Sequence, residues 1–250
     1  MRVETNDHLV KRNRKIATYM FVFSLAVLIF GFFAANGIFF KLDASDPENG
    51  SLYLVIMPLV LMVGLISTIT SVRMTNIWIR QPRPEVAIRE GLKGISNKSV
   101  LYNYLFMPAR HVLICPQGVF AIITRFQDGS FSVDGARWRT HRSFIGAAFS
   151  IFRVDGIGNP TAEALAAAQH VQEIMDDLEI EVTVQPLIIF ADPRAKIEFG
   201  ETAPPVPVLY ADAKLEPNLK DYLRDVPADD RVSLTPEQIK EFEEDTIEYV

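Results

Sequence analysis

The sequence predicts a two-helix transmembrane hairpin followed by an α/β (α+β) domain with a mixed sheet flanked by helices. Three observations predict it. No charged residue occurs between Lys15 and Lys41, a run of 25 residues, and none between Glu48 and Arg73, a run of 24. At about 1.5 Å rise per residue, either run as a helix exceeds the roughly 30 Å hydrocarbon core of a bilayer. After Arg73 the pattern changes to short apolar runs broken by Pro and Gly, with one long helical stripe.

The first span is expected over 16–40, the connecting loop over 41–51 and the second span over 52–72. A cleaved signal core has about 7–15 apolar residues and then a small-residue site. Here the run continues into Asn36-Gly37-Ile38-Phe39-Phe40, so the span is retained. The basic N-terminus, 1–15, carries Arg2, Lys11, Arg12, Arg14 and Lys15, and the far flank carries Arg73, Arg80, Arg83 and Arg89. The loop has only Lys41 beside Asp43, Asp46 and Glu48. Positive flanks stay in the cytoplasm. The expectation is a two-span cell-membrane protein with both termini cytoplasmic. Neither span holds an ionisable residue, which argues against an ion path. Ser67, Thr68, Thr70 and Ser71 fit helix–helix packing, and Trp78 stands where an interfacial aromatic belongs.

Gln81-Pro82-Arg83-Pro84 closes a stiff linker over 73–84. The soluble domain follows over 85–226, and an acidic tail over 227–250. Residues 73–226 carry 17 basic and 18 acidic side chains. That balance is unlike the basic footprint of a nucleic-acid binder. The single cysteine, Cys115, excludes an internal disulfide and a multi-Cys zinc site. No cofactor or metal is expected.

The domain reads in order. A helix spans 84–95 with Val86, Leu92 and Ile95 on one side. Strands follow at 100–106, 111–114 and 119–123. Cys115-Pro116-Gln117-Gly118 forms a type I turn. The unbroken apolar run Val119-Phe120-Ala121-Ile122-Ile123 marks a central strand covered on both faces. Asp128-Gly129 makes a tight hairpin turn into Phe131-Ser132-Val133. Asn159-Pro160 starts a helix with the stripe Leu165, Ala168, Val171, Met175 and Leu178. A buried strand at 182–190, a short strand near 206–209 and a helix over 213–225 complete the domain. In the tail, Thr235-Pro236-Glu237-Gln238 is a helix start, within an otherwise solvated, partly helical extension.

This order, and the segment His111-Val112-Leu113-Ile114-Cys115-Pro116-Gln117-Gly118-Val119-Phe120-Ala121-Ile122, resembles the nuclease-related domain (NERD) family of the PD-(D/E)xK superfamily. The resemblance covers about 85–225. It implies a restriction-endonuclease-like fold. Family members place an Asp before the first apolar strand of this segment and Glu-x-Lys after the second, to hold Mg²⁺ and assist the attacking water. Carried across, the Asp position falls on Arg110, the Glu position on Ile123 and the Lys position on Arg125. Arg110 puts a fixed cation where a dication belongs. Ile123 offers no oxygen, and Arg125 cannot give up a proton near neutral pH. The catalytic motif is degenerate. Relocated carboxylates would come from Glu85, Glu90, Asp128, Asp134 or Asp155.

Arg137-Trp138-Arg139-Thr140-His141-Arg142 is the densest basic cluster of the domain. If extended, Arg137, Arg139 and His141 share a face. With Arg125, Arg142 and Arg153 they form a candidate phosphate-binding patch. Trp138 reads as a core or rim anchor. The glycines of Gly156-Ile157-Gly158 read as loop. The leading functional expectation is a membrane-anchored, non-catalytic binding or assembly module. It would meet the lipid bilayer, and another protein through the domain or the acidic tail. The alternatives are a metal-dependent nuclease with relocated carboxylates and a peripheral module that reads anionic lipid or phosphate.

Overall fold

The structure is a computed structural model that describes residues 1–36, 50–141, 156–227 and 234–247. The chain divides into two compact units: a helical one from Lys11 to Arg80, and one built from Met1–Val10 with the chain after Gln81.

The helical unit contains most of α1 (Asp7–Ala35) and all of α2 (Gly50–Trp78). Asp7–Ala35 and Val55–Trp78 are each long and apolar enough to cross a membrane. Phe21, Phe32, Leu61 and Ile66 are exposed along them. The contact between the helices combines small residues and hydroxyls: Gly31 lies against Val60 and Gly64 against Val27 and Leu28. Ser24 Oγ lies 3.2 Å from Thr68 Oγ1, and Arg14 Nε donates to the Trp78 carbonyl at 3.2 Å. Ser67 and Ser71 are buried, while Thr70 faces outward and donates back to the Ile66 carbonyl. Three of the four expected hydroxyl residues therefore lie at the packed face. The end of the expected first span and the loop from 41 to 49 lie outside the described residues. The second helix runs six residues past its expected end, to Trp78.

The other unit has a mixed sheet in the order β1-β2-β3-β4-β7-β9. Its strands are β1 (Arg2–Thr5), β2 (Val100–Phe106), β3 (Ala109–Cys115), β4 (Gly118–Arg125), β7 (Val184–Phe190) and β9 (Val208–Tyr210). A second sheet, β6-β5-β8, holds β5 (Ser130–Asp134), β6 (Arg137–His141) and β8 (Lys196–Phe199). Every residue of β4 is buried, as its apolar run requires. Side chains alternate across the sheet. Val112, Ile114, Ala121, Ile123 and Ile188 pack on one face with Ala164, Ala167, Val171 and Met175 of α4 (Pro160–Asp177). Leu113, Phe120, Ile122 and Ile189 pack on the other with Ile88 and Leu92, and with Leu219 and Leu223 of α5 (Leu219–Arg224).

Several expectations need correction. Helix α3 (Pro84–Gly91) stops short of the expected Ile95. A Cβ on Gly91 would sit 2.1 Å from the Ala211 carbonyl oxygen, so the helix end rests directly on backbone. Asp128-Gly129 is not a hairpin turn. The strand position beside β4 is taken by β7, which pairs parallel to it, and Ala191 N–H donates to the Arg125 carbonyl at 2.8 Å. The chain therefore leaves for the second sheet. The true hairpin joins β5 to β6, with Gly135 at φ 56°, a conformation that costs glycine little. Leu165 is exposed, and Ala164 and Ala167 take its place in the core. Helix α5 is shorter than the expected 213–225.

The N-terminus and the tail also differ. Arg2–Thr5 forms a strand parallel to β2, and Asn6 Oδ1 caps α1 by accepting from Leu9 N–H at 2.9 Å. Helix α6 (Pro236–Ile247) has the expected capping box. Thr235 Oγ1 accepts from Gln238 N–H at 3.2 Å, and Gln238 Oε1 accepts from Thr235 N–H at 2.9 Å. Yet α6 is not a solvated extension. Phe242 is fully buried, with its ring 4.7 Å from Phe106 and 5.8 Å from Tyr102. Glu243 accepts from the Tyr102 hydroxyl at 2.6 Å and pairs with Arg2.

Candidate functional site

Arg110, Ile123 and Arg125, the positions that the resemblance would assign to a catalytic motif, lie at one end of β3 and β4, on the face covered by α4. His111 pairs with Ile122 in register, so one step further places Arg110 opposite Ile123. Alternation puts Arg110, Ile123 and Arg125 on the same face as Val112 and Ala121. Ile123 is packed into the core. Arg110 is half-buried.

Arg125 is 7% exposed. Its Nη2 lies 2.8 Å from Glu163 Oε1, and its Nη1 donates to the Thr124 carbonyl at 3.3 Å. Its Nε has no hydrogen-bond partner among the described residues. Burial lowers the Arg125 pKa; Glu163 opposes that shift, and the nearby Arg110 charge adds to it. Glu163 stands in the first turn of α4, whose N-cap Asn159 accepts from Ala162 N–H at 3.1 Å. It is 54% exposed. Sequence reasoning missed Glu163 and named Glu85 and Glu90 among the candidate carboxylates. Those two lie on α3, which packs against the opposite face of the sheet. The available signal was an acid four residues after an Asn-Pro helix start.

The other candidate carboxylates scatter. Glu85 Oε2 accepts from the Tyr104 hydroxyl at 3.1 Å. Glu90 pairs with Lys93. Asp128 lies 3.4 Å from Arg194. Asp134 accepts from Thr202 N–H at 2.9 Å, which with the nearby Arg137 and Arg139 lowers its pKa. Asp155 lies outside the described residues. Among the described residues, no group of three His, Cys, Asp or Glu is placed to hold a metal ion.

The proposed basic patch divides. Arg137, Arg139 and His141 are exposed along one side of β6, but Arg125 is buried against α4. Arg142 and Arg153 lie outside the described residues. Trp138 is an anchor, as expected: its Nε1 donates to Thr161 Oγ1 at 2.9 Å, and its ring lies 6.2 Å from Phe190.

Two further features were not legible beforehand. His111 is fully buried; its Nδ1 lies 2.8 Å from Asn103 Oδ1 while its Nε2 has no partner among the described residues. Burial and the Arg110 charge push its pKa down to about 3, so it is neutral. A crevice of about 730 Å³ opens beyond the carboxyl ends of β7 and β9, lined by Val86, Gly91, Ala191, Asp192, Ala211 and Lys214. Open α/β sheets commonly place ligands at such ends. Here the buried Asp192 is engaged by Arg194 through Nε at 3.0 Å and Nη2 at 2.7 Å. No family model, curated protein or solved structure matches this chain.

Proposed function

We propose that this chain is a two-span membrane protein whose cytoplasmic domain is a non-catalytic binding module on a degenerate nuclease-related scaffold. One observation carries the reading. The positions that the resemblance assigns to Asp, Glu and Lys lie together, but they hold a half-buried arginine, a core isoleucine and an arginine paired with Glu163. A hard dication needs several convergent oxygens, and among the described residues this site offers one carboxylate, already engaged by a guanidinium. The element order supports the scaffold assignment: α3, the antiparallel strands β2–β4, α4, then β7 parallel to β4.

The test is a titration of the full chain in nanodiscs with Mg²⁺ and Mn²⁺, together with a DNA cleavage assay. Neither tight metal binding nor cleavage is expected. Metal-dependent cleavage would overturn the reading in favour of relocated carboxylates.

The topology has its own support. Strand β1 precedes α1, yet pairs with β2, which follows α2. A chain that enters and leaves the bilayer on one side satisfies this pairing, and the Lys/Arg count makes that side cytoplasmic. An impermeant thiol reagent outside the cell should modify a Ser45→Cys variant and spare Glu237→Cys, both in a Cys115→Ser background. The reverse labelling would sink the assignment.

A further inference from the structure

We propose that Arg110, Arg125 and the first turn of α4 form a binding site for a phosphate group, and that Glu163 is an internal occupant which the phosphate displaces. This rests on the non-catalytic reading and names the ligand chemistry of that same site.

Among the described residues, the charges around Arg110 and Arg125 do not balance. Arg110 and Arg125 share a face and feel each other's charge, while the carboxylate paired with Arg125 is the half-exposed Glu163. Arg125 is 7% exposed, and its Nε is buried without a hydrogen-bond partner among the described residues. A buried guanidinium with an unmet donor is costly, and an anion with several oxygens meets the need. The guanidinium fork matches two oxygens of a phosphate.

The surroundings fit such a group. Helix α4 is 18 residues long, and its N-terminal dipole favours negative charge. The preceding loop leaves room: a Cβ on Gly156 would meet nothing within 4 Å. Gly158 has φ 68°, and Glu163 Oε1 would lie 3.4 Å from a Cβ there, so the carboxylate rests beside the loop. Ile123 and Ile157 belong to the buried apolar cluster on this face, and low-polarity surroundings strengthen charge–charge contacts. Glu163 can leave because its other side is water. A carboxylate held by one buried arginine at a helix start is what a weakly held competitor looks like.

The test uses the full chain in neutral phosphatidylcholine nanodiscs titrated with inorganic phosphate, read by calorimetry and thermal unfolding. Phosphate should bind and raise Tm. Glu163→Gln removes the competitor and should bind phosphate about tenfold more tightly, whereas Arg110→Gln should weaken it about tenfold. A purely structural ion pair predicts that Glu163→Gln lowers Tm and leaves both phosphate and phosphatidic acid without effect; that result overturns the proposal. A second arm incorporates phosphatidic acid into the nanodiscs. Stabilisation there alone, lost in Arg110→Gln, assigns the phosphate to a lipid headgroup. Binding in the neutral discs assigns it to a soluble ligand. Neither response overturns the site while leaving the non-catalytic reading intact, and DNA cleavage overturns that reading whatever phosphate does.

Discussion

Replacing Phe242 with alanine should destabilise the sheet-containing unit by about 3–5 kcal/mol and lower Tm by on the order of 10 °C. Phe242 is fully buried and completes an aromatic cluster with Tyr102 and Phe106. Removing the ring leaves a hole between α6 and the β2–β3 face that two other rings cannot fill without leaving their own contacts. The loss extends beyond the ring. α6 also carries Glu243, which accepts from Tyr102 and pairs with Arg2 of β1. Loosening α6 therefore frees the edge strand that leads into α1. Glu244→Ala on the same helix is the control. Glu244 is exposed and pairs with Lys240 at 3.1 Å, so its loss should cost less than about 0.5 kcal/mol. Thermal melts of both variants decide the matter. Equal melts would return α6 to the solvated extension its acidic composition suggests.

That contrast shows which parts of this fold were legible. Strands β2, β3 and β4 were readable because their partners are neighbours in sequence and their faces are mostly apolar. The starts of α4 and α6 were readable because caps are local chemistry: Asn159 and Thr235 each bond a backbone N–H three residues on. Partner choice over long distances was not. Arg2–Thr5 reads as a charged tail until β2, about a hundred residues later, supplies its ladder. Asp128-Gly129 has hairpin chemistry, but β7 outcompetes β5 for the open side of β4. Phe242 is one aromatic among eight acids in the tail, so composition pointed to solvent while a single side chain decided the docking. At the candidate site the residue types at 110, 123 and 125 were readable, and so was their incompatibility with a dication. Glu163 was not, because only the crossing of α4 over β3 and β4 brings it to Arg125.

The combined variant Arg110→Asp, Ile123→Glu and Arg125→Lys restores the residue types of a nuclease motif, yet it should not restore cleavage. It should also lower stability by several kcal/mol. Ile123 is 5% exposed and packs in the core cluster beneath α4; exchanging it for a carboxylate forfeits about 1.5–3 kcal/mol of burial before any charge is counted. Position 110 is its cross-strand neighbour, so the two new carboxylates face each other across the ladder and repel. The lysine at 125 offsets one of them. Glu163, released from Arg125, adds a third acid nearby. Mg²⁺ could relieve this repulsion only if the four-residue arrangement closed to oxygen distances of about 2.0–2.1 Å, and the close-packed α4 face with Ala164 and Ala167 leaves little freedom to do so. Thermal unfolding with and without Mg²⁺, alongside a cleavage assay, is the measurement. A destabilised, inactive variant with no Mg²⁺-dependent rise in Tm is the expected result. Efficient Mg²⁺-dependent cutting would mean that a working metal pocket survives beneath the arginines, and the scaffold would then be a nuclease inactivated at three side chains rather than one rebuilt to bind.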